Sequence, residues 1–237
     1  FGSHHLEYFK TIENIQRTKL EIIQSDRLEK AFVHSGVTDE VHDKVAFFGD
    51  AVSSVEATLE GLSFDMQLHD ENLHLETKIL GSFNTINLEA SILVADALGM
   101  DSEEIVQGIG ALQSVEHRLQ RIDAGGKIIL DDGYNGNIDG MLEGVRLLSL
   151  HPGRKVIVTP GLVESTEELN VELIEAINKV CDIAIITGQL NAELFDKKLS
   201  VAEKIMLGDK SQLTKVLGER TRAGDIILFA NDAPNFI

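Results

Sequence analysis

The stretch "KVIVTPGLVESTEELNVELIEAINKVCDIAIIT", residues 155–187, decides the fold. It opens on a short apolar run rich in β-branched residues, continues with helical period over 167–180, and closes on a second apolar run at 182–187. Pro160 and Gly161 break the chain after the first run. Strand, helix and strand at this spacing predict a right-handed βαβ unit with two parallel strands.

The same alternation extends through the second half of the chain, where apolar runs and amphipathic segments follow one another. It predicts a mostly parallel sheet that is covered by helices on both faces. The predicted strands are 127–130, 155–159, 182–187, 203–207 and 225–230, and the predicted helices are 139–150, 167–180, 191–198 and 211–217.

The first half shows a different pattern. Short alternating runs with turn residues between them over 44–81 predict an antiparallel meander. Two helices should follow, one that stops at Gly99 and one that Asp101 caps with Glu104 three residues later. An earlier helix should begin after Thr11. The prediction is an incomplete α/β and β front part, followed by a complete α/β domain from about residue 115.

Composition and charge exclude several classes of function. The chain has 237 residues, 43% of them hydrophobic, and a formal net charge of −18, which disfavours nucleic-acid and anionic-membrane partners. No apolar run approaches the ~18 residues of a membrane span. The single cysteine, Cys181, lies in an apolar run and is predicted to be a buried small hydrophobe. We expect a cytoplasmic protein with no nucleic-acid partner and no membrane insertion.

The segment "LDDGYNGN", residues 130–137, places polar side chains where a predicted strand ends. Ligands of open parallel sheets bind beyond the carboxyl ends of the strands. A carboxylate at this position could accept hydrogen bonds from ribose hydroxyls, and asparagines could read a ligand edge. The same residues could simply cap the next helix and form its turn. From the residues alone both interpretations stay open.

A second strand end carries Glu164, Glu167 and Glu168 near the start of the next predicted helix. Carboxylates there are favoured by the helix dipole, which needs no function. The functional alternative is that Glu164 or a neighbour binds an amine.

Several motifs occur in the order and spacing of a known family. They are "HHLEYFKTIENIQRTKLEI" (4–22), "GSFNTINLEASILVADALGM" (81–100), "VEHRLQ" (115–120), "IILDDGYNGNIDGMLEG" (128–144) and "GRKVIVTPGLVE" (153–164). Together they resemble the Mur ligases. Within that family, "DDGYNGN" is most similar to the MurF type, which adds D-alanyl-D-alanine to UDP-N-acetylmuramoyl-tripeptide.

The resemblance implies a domain organisation. Residues 1–114 would be the C-terminal part of a P-loop-type central ATPase domain with a small antiparallel sheet. Residues 115–237 would be a Rossmann-like C-terminal domain with a mostly parallel sheet. It also implies ATP and Mg²⁺ as cofactors, an acyl-phosphate intermediate, UDP-N-acetylmuramoyl-tripeptide and D-alanyl-D-alanine as substrates, and a monomer.

The resemblance further implies roles for particular residues. In the first half, His5 matches a metal ligand, Lys19 a lysine that becomes a carbamate and supports a second metal, and Asn87 an asparagine that contacts adenine. In the second half, Arg118 matches an arginine that reaches the nucleotide phosphates, and Asp132 an aspartate on the ribose. The loop residues Tyr134 and Asn135 complete the nucleotide set, and Asn137 and Glu164 would bind substrate.

The sequence also departs from the family pattern. Phe83 stands where the family usually has histidine, and Gly133 and Gly136 replace the usual serine and alanine. No G-x-x-x-x-G-K-[ST] occurs in the sequence, so we expect the phosphate-cradling loop and the UDP-binding domain upstream of Phe1. This segment alone should therefore not catalyse. The alternatives are another amino-acid-adding Mur ligase, a folylpolyglutamate-synthase-like ligase, or a non-catalytic paralogue that binds nucleotide or peptide.

Overall fold

A computed structural model describes residues 9–38, 43–134, 136–163 and 165–230 of the chain. The chain divides into two compact units. The first unit holds the described residues of Phe1–Glu56, Ser63–Thr77 and Phe83–Leu112, and the second holds those of Ala57–Leu62, Lys78–Ser82 and Gln113–Ile237. The predicted domain boundary at 114/115 stays a prediction.

The second unit is built on a six-stranded sheet, and the strands and helices predicted for it are present. Five strands run parallel and the edge strand β6 is antiparallel to β7, in the order β10-β9-β8-β11-β7-β6. The strands are β6 (Gln120–Ala124), β7 (Lys127–Asp132), β8 (Lys155–Thr159), β9 (Ile183–Thr187), β10 (Glu203–Leu207) and β11 (Ile226–Ala230). The helices are α4 (Ile138–Ser149), α5 (Glu167–Val180), α6 (Ala192–Lys198) and α7 (Leu213–Arg220).

Helices cover both faces of this sheet. On one face Ile157, Ile186 and Leu228 pack in a buried cluster with side chains of α4, α5 and α6. On the other, Val158 and Ile185 pack against α7. Each such side chain contributes about 1.5–3 kcal/mol relative to exposure. The last strand, β11, lies between β7 and β8, so the carboxyl ends of these three parallel strands are neighbours at the same end of the sheet.

The first unit contains most of a three-stranded meander and three helices. The order β3-β4-β5 has short connections, which makes neighbouring strands antiparallel, as predicted. Helix α3 packs against β5. The elements are α1 (Ile12–Leu20), β1 (Ala31–His34), β2 (Val45–Phe48), β3 (Val52–Ala57), β4 (Leu62–Leu68), β5 (Glu71–Thr77), α2 (Asn84–Ala97) and α3 (Ser102–Ala111).

Three predicted local features of the chain are confirmed. Thr11 caps α1 by accepting from the amide of Asn14, and Asp101 and Glu104 form a reciprocal capping box at α3. Cys181 is 7% exposed, and burial raises the pKa of its thiol to about 12, so it is a packed side chain without nucleophilic character.

Two parts of the sequence interpretation are wrong. The segment Val45–Phe48 does not join the meander but pairs in parallel with β1, a strand that was not predicted from the sequence. Strand β6 was also missed, because it is exposed and holds one large apolar residue, Ile122. Its signal was the Gly125–Gly126 turn, whose two positive φ angles of 61° and 74° suit a two-residue hairpin.

No helix in the described part of the chain is long and apolar enough to cross a membrane.

Candidate functional site

Two adjacent aspartates at the end of β7 form hydrogen bonds with the turn that precedes β6. Asp131 Oδ2 lies 2.9 Å from Nδ1 of His117, and its Oδ1 accepts from the amide of Gly133 at 3.1 Å. Asp132 Oδ1 accepts from the amide of Leu119 at 3.1 Å. Among the described residues, no hydrogen bond reaches Oδ2 of Asp132.

The pKa values of Asp132 and His117 are both shifted at this strand end. Burial raises the pKa of Asp132, and the nearby Asp131 charge adds to this, whereas the Leu119 amide and Arg118 act in the opposite direction. The hydrogen bond to Asp131 raises the pKa of His117 above its ordinary value, and the Asp131 and Glu116 charges raise it further. His117 and the two aspartates therefore meet at the carboxyl end of the sheet.

Arg118 and Tyr134 come together at this edge, although they lie in different motifs. The guanidinium carbon of Arg118 is 4.1 Å from the centroid of the Tyr134 ring, a cation–π contact that leaves both side chains exposed. The residues on either side of Arg118 have left-handed backbones, with φ of 61° at His117 and 49° at Leu119. Such a conformation costs a non-glycine residue about 1–2 kcal/mol, so the hydrogen bonds to the two aspartates must hold it.

The rest of the predicted strand-end loop is assigned only in part. Asn137 is the N-cap of α4, where its side chain accepts from the amide of Gly140 at 2.8 Å, so the capping interpretation holds for this residue. Its predicted contact with substrate stays a prediction. Asn135 lies outside the described residues.

The loop after β8 is tightly held. Gly161 has φ of +76°, and a Cβ there would stand 2.7 Å from Oδ1 of Asn170 and 2.8 Å from the Phe195 ring. The buried side chain of Asn170 exchanges hydrogen bonds with both backbone groups of Leu162. Glu164, the predicted amine ligand, lies outside the described residues.

The remaining predicted site residues belong to the first unit. Asn87 is exposed on α2 and its amide donates to Oδ1 of Asn84 at 3.0 Å. Phe83, just before this helix, is 39% exposed. Lys19 is exposed in the last turn of α1, and His5 lies outside the described residues. Within the part of the chain that the structure describes, no three histidine, cysteine or acidic side chains converge as metal ligands. The predicted Mg²⁺ stays a prediction.

Arg118, Asp132 and Tyr134 were predicted from the motifs, and Asp131 was placed at the same strand end, but His117 was not predicted and the pairing of His117 with Asp131 was not foreseen. His117 stands beside Arg118 in "EHR", and Asp131 beside Asp132 in "DD". The signal was the adjacency itself, since a histidine and a carboxylate at two meeting strand ends can pair.

A mostly parallel sheet with polar side chains at its carboxyl end, and a unit of antiparallel meander and helices, are the fold that the resemblance to the Mur ligases predicted. Comparison with known proteins agrees. Residues 1–95 match the family model described as Mur ligase middle domain, and the resemblance to the Mur ligases that the sequence predicted is confirmed.

Individual relatives cover most of the chain. The UDP-N-acetylmuramoyl-tripeptide–D-alanyl-D-alanine ligase of Buchnera aphidicola is 25% identical over 89% of this chain and 53% of its own length. The UDP-N-acetylmuramoyl-L-alanyl-D-glutamate–2,6-diaminopimelate ligase of Rickettsia prowazekii is 28% identical over 86% of this chain and 46% of its own length. This chain therefore spans about half the length of these curated relatives.

The crystal structure of MurF ligase from Thermotoga maritima in complex with ADP superposes with a TM-score of 0.77. It is 25% identical and covers 98% of this chain and 56% of the Thermotoga chain. The α/β fold predicted from the sequence is confirmed.

Proposed function

We propose that this chain is the rear part of an ATP-dependent amide ligase of peptidoglycan precursor synthesis. The proposed reaction adds D-alanyl-D-alanine to UDP-N-acetylmuramoyl-tripeptide. ATP transfers its γ-phosphoryl group to a substrate carboxylate oxygen and leaves as ADP. The amine nitrogen then attacks the acyl carbon, inorganic phosphate leaves with the C–O bond electrons, and the nitrogen gives its proton to solvent.

The observation that carries this proposal is the polar edge of the second unit. Asp132 offers a carboxylate oxygen with no partner among the described residues, next to an exposed arginine. A carboxylate suits the ribose hydroxyls, and a guanidinium fork suits phosphate. Support for the nucleotide comes from the Thermotoga relative, whose structure contains ADP.

The other residues are assigned by family resemblance. In the first unit, the exposed Asn87 would contact adenine, and Lys19 would act as a carbamate. Bound Mg²⁺ would offset negative charge on the phosphates, with His5 and Lys19 as its expected neighbours. Asn135, Asn137 and Glu164 complete the proposed set of ligand contacts.

Phosphate release tests the activity, and it should be measured with the polypeptide that the gene encodes. ATP and UDP-N-acetylmuramoyl-tripeptide are supplied with D-alanyl-D-alanine, and in parallel with free amino acids. We expect phosphate release with the dipeptide alone. A protein that binds ADP but releases no phosphate with any amine would be a binding paralogue.

A second substrate class is favoured by one comparison. The Rickettsia relative, a diaminopimelate-adding ligase by name, is 28% identical over 86% of this chain. The same assay with UDP-N-acetylmuramoyl-L-alanyl-D-glutamate and diaminopimelate separates the two, since phosphate release there would assign that amine in place of the dipeptide.

A further inference from the structure

The turn that carries Arg118 is held in an uncommon backbone conformation. Positive φ angles flank the arginine at His117 and Leu119, and neither residue is a glycine. Backbone of this kind persists only where neighbouring groups over-determine it, and it concentrates at ligand-binding sites.

Three hydrogen bonds tie the turn to the β7 strand end. The imidazole of His117 contacts Asp131 at 2.9 Å, and the amide of Leu119 donates to Asp132 at 3.1 Å. The carbonyl of His117 accepts from the amide of Tyr134 at 3.3 Å, which places the ring beneath the Arg118 guanidinium. The Arg118 guanidinium contacts the Tyr134 ring and stays exposed, and these neighbours set its position.

We propose that His117 and Asp131 form a positioning pair, which holds the 117–119 turn so that Arg118 is pre-set to receive the phosphate groups of a nucleotide. This inference rests on the proposed function, because it assumes that Arg118 binds phosphate. His117 and Asp131 act through Arg118 and touch no ligand themselves.

The pair makes the site sensitive to pH. Two carboxylates act on the imidazole: Asp131 at 2.9 Å across the turn, and Glu116 at 3.6 Å on the same turn. The hydrogen bond to Asp131, followed by the charges of Asp131 and Glu116, raises the pKa of His117. The charge-assisted contact is therefore complete below the ordinary histidine pKa, and it is lost as pH rises through the raised value.

The size of the effect follows from the cost of ordering one arginine on binding. Immobilising a side chain with many rotamers corresponds to about threefold to tenfold in affinity. We expect His117→Ala and Asp131→Asn to weaken ADP binding by that factor at neutral pH. His117→Asn keeps an amide donor for Asp131, and should retain most of the affinity without the pH dependence.

Calorimetric titration of ADP tests the pair in the polypeptide that the gene encodes, across about pH 6 to 8.5, the range in which histidine titrates. Protonation of the ADP phosphate affects every variant equally, so it cancels in the difference between the native protein and His117→Asn. That difference should shrink as pH rises. Asp139→Asn is the matched control: its carboxylate is exposed in the first turn of α4 and is not among the groups that act on His117.

A further measurement separates positioning from loss of structure. The His117 side chain is 52% exposed, so its variants should unfold at nearly the native temperature. Hydrogen exchange of the Leu119 amide should nevertheless accelerate in His117→Ala, because the turn loses one of its attachments.

The outcomes distinguish the pair from the site. If Arg118→Ala leaves ADP affinity unchanged, the phosphate-binding role of this turn is wrong, and the inference fails with it. If Arg118→Ala weakens binding while His117→Ala and Asp131→Asn do not at any pH, the proposed function stands and the positioning pair is overturned.

Discussion

Replacing Asp132 by alanine removes the carboxylate that we assign to the ribose. One of its oxygens already accepts from the amide of Leu119, so only the other is open to a ligand. The expected loss is therefore one charge-assisted hydrogen bond, about 1.5–3 kcal/mol, and not the two that a fully open carboxylate would give. That corresponds to roughly 10- to 150-fold weaker ADP binding.

Two matched variants refine this test. Asp132→Asn keeps the shape and one acceptor oxygen but loses the charge, so it should lie between the native protein and Asp132→Ala. Asp139→Ala removes an exposed carboxylate from the first turn of the neighbouring helix, and affinity should not change. Isothermal titration of ADP measures all three.

The pH dependence has a defined sign. Burial raises the pKa of Asp132, and the acceptor is strongest when ionised. ADP affinity should therefore fall on acidification, beginning at a higher pH than for an ordinary aspartate. If Asp132→Ala binds ADP like the native protein, Asp132 only supports the Leu119 amide, and the ribose contact is wrong.

Three further predictions concern stability and activity. Asp225 is 2% exposed and pairs with Arg154 at 2.8 Å where β8 and β11 begin, so Asp225→Ala should lower the free energy of unfolding by about 3–5 kcal/mol. Burial alone would raise the pKa of Asp225, but the hydrogen bonds and charge of Arg154 outweigh burial, so the pKa is lowered. The stabilisation by this ion pair should therefore be complete above the ordinary aspartate pKa and disappear as the pH falls through the lowered pKa. A difference in melting temperature that does not change with pH would contradict this. Asn137→Ala should lower the free energy of unfolding, measured in urea, by about 1 kcal/mol, because the N-cap hydrogen bond from the amide of Gly140 is lost. Asn137→Asp should not lower it, and equal losses in the two variants would exclude capping as the cause. Lys19→Ala should nearly abolish phosphate release, without rescue by high bicarbonate, and near-native turnover would remove Lys19 from the mechanism.

Much of the second unit could be predicted because its signals are local. The helix over 167–180 has the predicted bounds, and the five predicted strands are all present. Apolar runs and helical period are written in contiguous residues, and the junctions carry glycine, proline or a cap. The antiparallel strand β6 was not predicted, because an exposed edge strand needs few apolar residues and so lacks the apolar pattern.

The candidate site was predictable only in its parts. Arg118, Asp132 and Tyr134 were identified by motif, but nothing in those motifs indicated a ring stacked on the guanidinium at 4.1 Å. The bond between His117 and Asp131 joins residues 14 positions apart, and it depends on the antiparallel register of β6 with β7. Register is a property of paired strands, so no single segment displays it.

The sequence by itself determined the α/β class, the helices and parallel strands of the second unit, their caps, and the resemblance that named the candidate residues. The tertiary structure alone decided that β11 enters between β7 and β8, and that β2 pairs with β1 outside the meander. It also decided which strand-end side chains meet. The physical reason is the distance along the chain over which each interaction acts. Helix and strand propensity depend on neighbours within a few residues, whereas strand order and side-chain pairing depend on which distant surfaces bury each other best.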